Sequence, residues 1–354
     1  MINFFKSWLL WAMLTVALGY IITLPLLSNC FYLTGGFILL IKGADFLVTG
    51  ASKLAKHFGV SPLVIGLTVV AFGTSLPELA VSVLAAIQGN ADISLGNVIG
   101  SNTANIGLIL GITALLSPLT IAISTITIES PLMLMASFAL LGLFGNSFWE
   151  TSSEGFLLGR VDAIILLLLF AFFLWCISYT AKSQRDKKFQ AEFQEEFGQD
   201  RQSLSKSIGQ IVLGIVLVVG GAQLLIIAAT AFARAAGLSD ALIGLTLVAV
   251  GTSLPELVTS VVAGLKKEAG IAVGNIIGSN IFNILFILGI AGLLAPLKVS
   301  ATLFAVDTLV MIIAALVLQF FMVAGRKLDR TKGALLLLGY FGYLFYLGKT
   351  AGVF

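Results

Sequence analysis

Two glutamates carry most of the chemistry this sequence offers. Gly73-Thr74-Ser75-Leu76-Pro77-Glu78-Leu79 recurs, identical through all seven residues, as Gly251-Thr252-Ser253-Leu254-Pro255-Glu256-Leu257. Residues three and four apart on a helix are neighbours. The hydroxyls of Thr74 and Ser75 therefore share a face with Glu78, and those of Thr252 and Ser253 with Glu256. A second pair follows, Gly96-Asn97-Val98-Ile99-Gly100-Ser101-Asn102 and Gly274-Asn275-Ile276-Ile277-Gly278-Ser279-Asn280, with Asn105 and Asn283 four residues beyond Ser101 and Ser279. Pro77 and Pro255 lack an N–H and crowd the preceding turn, so each helix should kink or break there. Such a break is expected to leave carbonyls near Ala71 and Ala249 without helical partners. The collected groups are carboxylates, hydroxyls, amides and carbonyls, all hard oxygen donors. They suit Ca2+, which takes six to eight oxygens at ~2.3–2.6 Å, and they also suit Na+. Two carboxylates balance the charge of one Ca2+. Interhelical hydrogen bonding alone could account for the hydroxyls and glycines, but not for a glutamate in each copy.

The elements that hold these residues are membrane helices. The chain has 354 residues, of which 58% are hydrophobic and only 10% charged, with a mean hydropathy of +1.07. Soluble domains carry about 25% charged residues, and so few charges would leave very large exposed apolar patches in water. A soluble enzyme is excluded. The single histidine, His57, and two cysteines, Cys30 and Cys176, exclude a His-rich metal site, Ser/His machinery and a disulfide framework. The net charge of +3 gives no sign of nucleic acid.

Apolar runs predict helices at 8–27, 31–55, 60–87, 93–116, 120–145, 156–181, 208–233, 239–265, 271–294, 300–324 and 333–350. The segment 1–30 reads as an extra hydrophobic helix, favoured over a signal segment because its run exceeds the usual ~7–15 residues. The ten core helices divide into 31–181 and 208–354 around a polar stretch, 182–207. That stretch is either an amphipathic surface helix, with Phe189, Phe193 and Phe197 at spacing four, or a solvated connector. If the first core helix enters from outside, one side of the membrane holds Lys53, Lys56, Lys182, Arg185, Lys187, Lys188, Arg201, Lys206, Lys266, Lys267, Arg326, Lys327, Arg330 and Lys332. The other holds only Arg160, Arg234, Lys298 and Lys349. Basic residues concentrate on the cytoplasmic side, which places 182–207 there and the protein in the cell (plasma or inner) membrane.

The two halves repeat at a shift of 178 residues, which also pairs Pro118 with Pro296 and Gly111 with Gly289. Five helices is an odd number, so the second copy enters the membrane from the opposite side. The fold class is an all-α polytopic membrane protein of two inverted-topology five-helix repeats plus an N-terminal helix. Inverted repeats are common among secondary transporters, whose substrate sites lie at the repeat interface near mid-membrane.

At these motifs the sequence resembles the sodium/calcium exchangers of the cation/calcium antiporter superfamily, from about residue 31 to the end. The resemblance implies four ion sites between core helices 2, 3, 7 and 8, and alternating access by sliding of core helices 1 and 6. It implies Ca2+ ligands at Glu78, Glu256, Thr74 and Thr252, the threonines through backbone carbonyls. It implies Na+ ligands at Ser75, Ser253, Ser101, Ser279, the carbonyls of Ala71 and Ala249, and both glutamates, with Asn105 and Asn283 lining the middle. Some relatives, including potassium-dependent ones, place Asp at one of the two Asn positions. Proton/calcium relatives usually show Gly-Asn-x-x-Glu in place of Gly-Thr-Ser-Leu-Pro-Glu. Both differences favour Na+ over an H+/Ca2+ or K+-dependent antiporter. The expected function is Na+/Ca2+ antiport with Na+ and Ca2+ as cargo, the lipid bilayer as surroundings, no cofactor, and a monomer sufficient. A cation channel could reuse the same donors but needs no inverted repeat; an intramembrane protease lacks a Gly-x-Gly-Asp segment or a usable Ser/His pair.

Fainter signals complete the reading. Asp45 pairs with Lys42 or serves as an entry-path acid. Glu129 and Asp307 match across the repeat and are expected to favour helix N-termini rather than bind ions. Asp162 and Arg160 read as a membrane-edge pair, and Trp8, Trp11, Trp149 and Trp175 as interfacial aromatics.

Overall fold

The computed structural model describes residues 11–12, 14–20, 25–144, 156–183, 203–235, 249–300 and 303–350. The expected 182–207 connector and most of the N-terminal segment, with Trp8 and Trp149, lie outside or at the margins of these residues. The described helices are α1 Pro25–Phe58, α2 Pro62–Thr74, α3 Leu76–Ile87, α4 Ala91–Leu116, α5 Thr125–Phe144 and α6 Arg160–Ser183. In the second half they are α7 Leu204–Ala235, α8 Ala249–Thr252, α9 Leu254–Leu265, α10 Ala269–Leu294, α11 Phe304–Val323 and α12 Arg330–Thr350. Seven of the described helices are long and apolar enough to cross a membrane, and the α2–α3 pair, bent by 50°, passes the same test when its two helices are taken together.

Burial sorts these helices by position. The most apolar stretches of α4 and α10 are 78% and 83% buried, against 22% for α6. The two helices carrying the Gly-Asn-x-Ile-Gly-Ser-Asn motifs are therefore central. Glycine permits this: a Cβ on Gly278 of α10 would lie 2.6 Å from the Leu67 carbonyl oxygen of α2, and one on Gly274 would lie 2.7 Å from that of Leu63. The outer helices present apolar side chains outward, as a lipid-facing surface does; Trp175 of α6 is 61% exposed and stacks between Phe172 and Tyr179.

Two loop features differ from the expected helix limits. Leu119–Thr120 forms strand β1 and pairs antiparallel with β4, Lys327–Leu328; β2, Phe156–Leu158, pairs with β3, Leu297–Val299. The helices that follow β1 and β2 accordingly start at Thr125 and Arg160, not at 120 and 156. Each ribbon joins a strand of one half to a strand of the other. Wide π turns also recur in register, Thr125–Glu129 with Leu303–Asp307, and Asn105–Ile109 with Phe282–Ile287.

Asp45 of α1 pairs with Lys266 at 2.6 Å rather than with Lys42, because the turn between α9 and α10 brings that lysine across to α1. Lys267 adopts φ 62° in this turn, the position its repeat mate Gly89 fills with φ 78°. Glu129 and Asp307 close their π turns inside the helices rather than capping N-termini. Asp162 accepts the Gly159 N–H at 2.8 Å and so caps the start of α6. His57 lies in the last turn of α1, exposed beside Phe58.

Candidate functional site

The broken helices place the glutamates. Ser75 leaves helical geometry at φ −83°, ψ 7°, and Ser253 does so at φ −88°, ψ 5°. Pro77 and Pro255 then occupy the second position of α3 and α9, where a missing N–H costs least. Glu78 and Glu256 follow in the first helical turn, each 1% exposed. A carboxylate at a helix N-terminus meets the positive end of the helix dipole. No basic side chain pairs with either glutamate among the described residues.

Each glutamate is held by the other half of the chain. Ser75 Oγ donates to Glu256 Oε1 at 3.0 Å and lies 3.0 Å from Ser279 Oγ, itself 3.4 Å from the same carboxylate oxygen. Reciprocally, Ser253 Oγ lies 3.2 Å from Glu78 Oε1 and 3.2 Å from Ser101 Oγ. Two reciprocal clusters result, Ser75–Glu256–Ser279 and Ser253–Glu78–Ser101, and all six residues are buried. This exchange of partners is what a two-fold relation between halves produces.

Four oxygens at this locus are buried with no hydrogen-bond partner: Glu78 Oε2, Glu256 Oε2, Asn105 Oδ1 and Asn283 Oδ1. They form two repeat-related pairs. Leaving a buried acceptor unsatisfied is costly, and more so for a charged one. A cation satisfies such acceptors, and these are the oxygen types hard cations take.

Thr74 is buried in α2, its hydroxyl 3.2 Å from the Val70 carbonyl oxygen and 3.1 Å from Asn275 Oδ1, and Thr252 is buried at the equivalent place. Ala71 departs from expectation: its carbonyl accepts the Ser75 N–H at 3.0 Å and keeps its helical partner. The helix stays intact through Thr74, and the carbonyl that Pro77 cannot serve is that of Gly73, four residues before it. Ala249 is the first described residue of α8, just before the second break.

Asn97 and Asn275 bond to the main chain of the two glutamates. Asn97 Nδ2 donates to the Glu78 carbonyl at 3.2 Å and to Ser82 Oγ at 2.9 Å; Asn275 Nδ2 reaches the Glu256 carbonyl at 3.5 Å and Ser260 Oγ at 3.0 Å. They tie α4 and α10 to the glutamate-bearing turns. Their place beside the glycine of each repeated motif was the signal available for finding them.

Known proteins resemble this chain in sequence and in fold. The family profile of sodium/calcium exchanger proteins matches residues 28–179 and 206–349. Sodium/calcium exchanger MaX1 of Methanosarcina acetivorans is 36% identical over 346 residues, covering 90% of this chain and 98% of its own. The candidate antiporter CaxA of Alkalimonas amylolytica is 40% identical over 326 residues, covering 91% of this chain and 99% of its own. A structure of the sodium–calcium exchanger NCX_Mj, soaked with zero Na+ and Ca2+, superposes with a TM-score of 0.76 at 34% identity, over 90% of this chain and 98% of that one. With both halves matched and the fold shared along nearly its whole length, the chain belongs to the sodium/calcium exchanger protein family.

Proposed function

We propose that this protein exchanges Na+ for Ca2+ across a cell membrane by alternating access, with Glu78 and Glu256 shared between the two ions. The observation that carries this reading is the set of four buried, unpartnered oxygens of Glu78, Glu256, Asn105 and Asn283. The hydroxyls of Ser75, Ser279, Ser253 and Ser101 cluster with the two glutamates, and the backbone carbonyls of Thr74, Thr252, Ala71 and Ala249 would complete the donor set. The Ala71 carbonyl retains a lone pair beyond its bond to Ser75.

Antiport follows from electrostatics. Two carboxylates in a low-dielectric interior are neutralised by one Ca2+ or by several Na+, whereas both loads together would leave excess positive charge. A site with neither would leave two unpaired anions, which opposes crossing unloaded. Exclusive loading together with a costly unloaded crossing makes the fluxes exchange. Inward Na+ then drives Ca2+ outward, and unequal charge makes the rate depend on membrane potential. In this reading α1 and α7 are the moving pair, the 31–181 and 208–354 halves are the functional units, and 182–207 lies in the cytoplasm.

The test is Ca2+ uptake into Na+-loaded proteoliposomes. The native chain should take up Ca2+ down the imposed Na+ gradient, and Glu78→Gln and Glu256→Gln should each reduce uptake to background. Undiminished exchange in both variants would remove the site. Ca2+ flux in Na+-free vesicles that follows a pH gradient would replace Na+ coupling with H+ coupling.

A further inference from the structure

A second layer of amides lies behind the two asparagines that line the site. Asn105 donates from Nδ2 to Asn280 Oδ1 at 2.9 Å, and Asn283 donates to Asn102 Oδ1 at 2.9 Å. Asn280 in turn donates to the Met133 sulfur at 3.5 Å. Asn102 donates to the Met311 sulfur at 3.6 Å and to the Asn280 main-chain oxygen at 3.2 Å. Asn102, Asn280, Met133 and Met311 are each 1% exposed, so water does not compete for these contacts. The arrangement is repeat-symmetric: Asn102 and Met133 recur 178 residues on as Asn280 and Met311.

The ends of these two chains decide their direction. A thioether and a carbonyl accept hydrogen bonds and cannot donate them. Asn280 must therefore turn its N–H toward Met133 and its oxygen toward Asn105, and Asn102 must turn its oxygen toward Asn283. The lining amides then have their N–H groups committed, and their own oxygens, Asn105 Oδ1 and Asn283 Oδ1, are the ones without partners. We infer that Asn102 and Asn280, anchored by Met311 and Met133, are positioning residues that hold the Asn105 and Asn283 amides with oxygen, not N–H, toward the passing cation. An unanchored amide can reverse and aim an N–H dipole at a positive ion. The device keeps the middle of the site acceptor-only without a third buried charge.

This inference rests on the exchanger reading, and its test separates the two. Ca2+-induced stabilisation of the purified full chain in detergent, followed as unfolding temperature against Ca2+ concentration, gives a half-saturation value for each variant. Asn280→Leu removes the acceptor for Asn105 at similar volume and should raise half-saturation by roughly tenfold, the scale of one hydrogen bond to a charged group. Asn105→Ala should raise it similarly. The double variant should be no worse than either single one, because Asn280 acts only through Asn105. Met133→Leu keeps the packing, and should give a smaller rise that disappears when Asn105 is alanine; it carries the same test if Asn280→Leu fails to fold. Additive losses, or unchanged half-saturation in both Asn280→Leu and Met133→Leu, would overturn the inference while Na+-driven uptake by the native chain leaves the exchanger reading standing. A native chain that neither takes up Ca2+ nor is stabilised by it would overturn both.

Discussion

Hydroxyls that cross from one half to the other make the site a joint product of two distant segments. Ser75 Oγ reaches Glu256 at 3.0 Å across 181 positions of chain, and Ser253 reaches Glu78 at 3.2 Å across 175. A hydrogen bond to a charged group is worth ~1.5–3 kcal/mol. In the proposed ligand assignment the serines serve Na+, while Ca2+ draws on threonine carbonyls, the glutamates and the amide oxygens of Asn105 and Asn283. Ser75→Ala should therefore raise the Na+ concentration for half-maximal exchange by roughly tenfold, and the Ca2+ value by less than about threefold. Equal shifts for both ions, measured in the same vesicles, would show that the serine only positions Glu256. The glutamates and their hydroxyl neighbours were legible in the sequence because a carboxylate inside an apolar helix has few explanations. The Ala71 expectation failed for a local reason: proline marks the missing N–H, whereas the departure from helical geometry falls two residues earlier, at Ser75. Asn97 does not stand out within its motif, because an amide bonded to a main-chain carbonyl looks in sequence like any other polar residue.

Among the elements, close backbone approach decides where the site can form. The broken helix α2–α3 and central helix α10 meet where Gly274 and Gly278 stand, and a Cβ at Gly278 would press on Leu67 backbone at 2.6 Å and on Ala71 Cβ at 2.8 Å. Backbone cannot swing aside as a flexible side chain can, so Gly278→Ala is an overpacking change of about 1–3 kcal/mol. It should lower the unfolding temperature in detergent and, by pushing α10 from α2, weaken Ca2+ stabilisation as well. Gly142→Ala on exposed α5 meets nothing within 4 Å and should leave both measurements unchanged or raise stability slightly. If the two variants behaved alike, the close approach would have no energetic meaning. Periodicity and proline placement revealed the helices and the break. The π turns at Thr125–Glu129 and Leu303–Asp307 were not legible, since one inserted residue leaves the apolar pattern unmarked. The short strands β1 and β2 were absorbed into helix expectations because two or three apolar residues are too few to show a period of two.

At the scale of the whole molecule, the repeat predicts reciprocity, and the longest contact obeys it. Helices α1 and α7 lie antiparallel along small residues spaced by seven: Gly36, Gly43 and Gly50 on one, Ser207, Gly214 and Gly221 on the other. A Cβ on Gly36 would sit 2.9 Å from the Gly221 oxygen, one on Gly221 would sit 2.8 Å from the Gly36 oxygen, and one on Gly43 would sit 2.7 Å from the Val218 nitrogen. Small residues let helix backbones approach closely in lipid, and here they leave few interlocked side chains between the two helices. The sevenfold spacing was visible in the sequence, but glycine is common in membrane helices and only the pairing gives the spacing meaning. If this seam is the track on which α1 and α7 move past the site, a bump on it should obstruct motion more than ion binding. Gly43→Ala should slow Na+-driven Ca2+ uptake by about tenfold or more, the scale of a 1–3 kcal/mol packing strain, with Ca2+ half-saturation of thermal stabilisation unchanged. Gly220→Ala, on the exposed side of α7 with nothing within 4 Å, should exchange at the native rate. A Gly43→Ala protein that binds Ca2+ and exchanges as fast as the native one would mean that the two helices slide as one body, and that the seam between them is not a surface of motion.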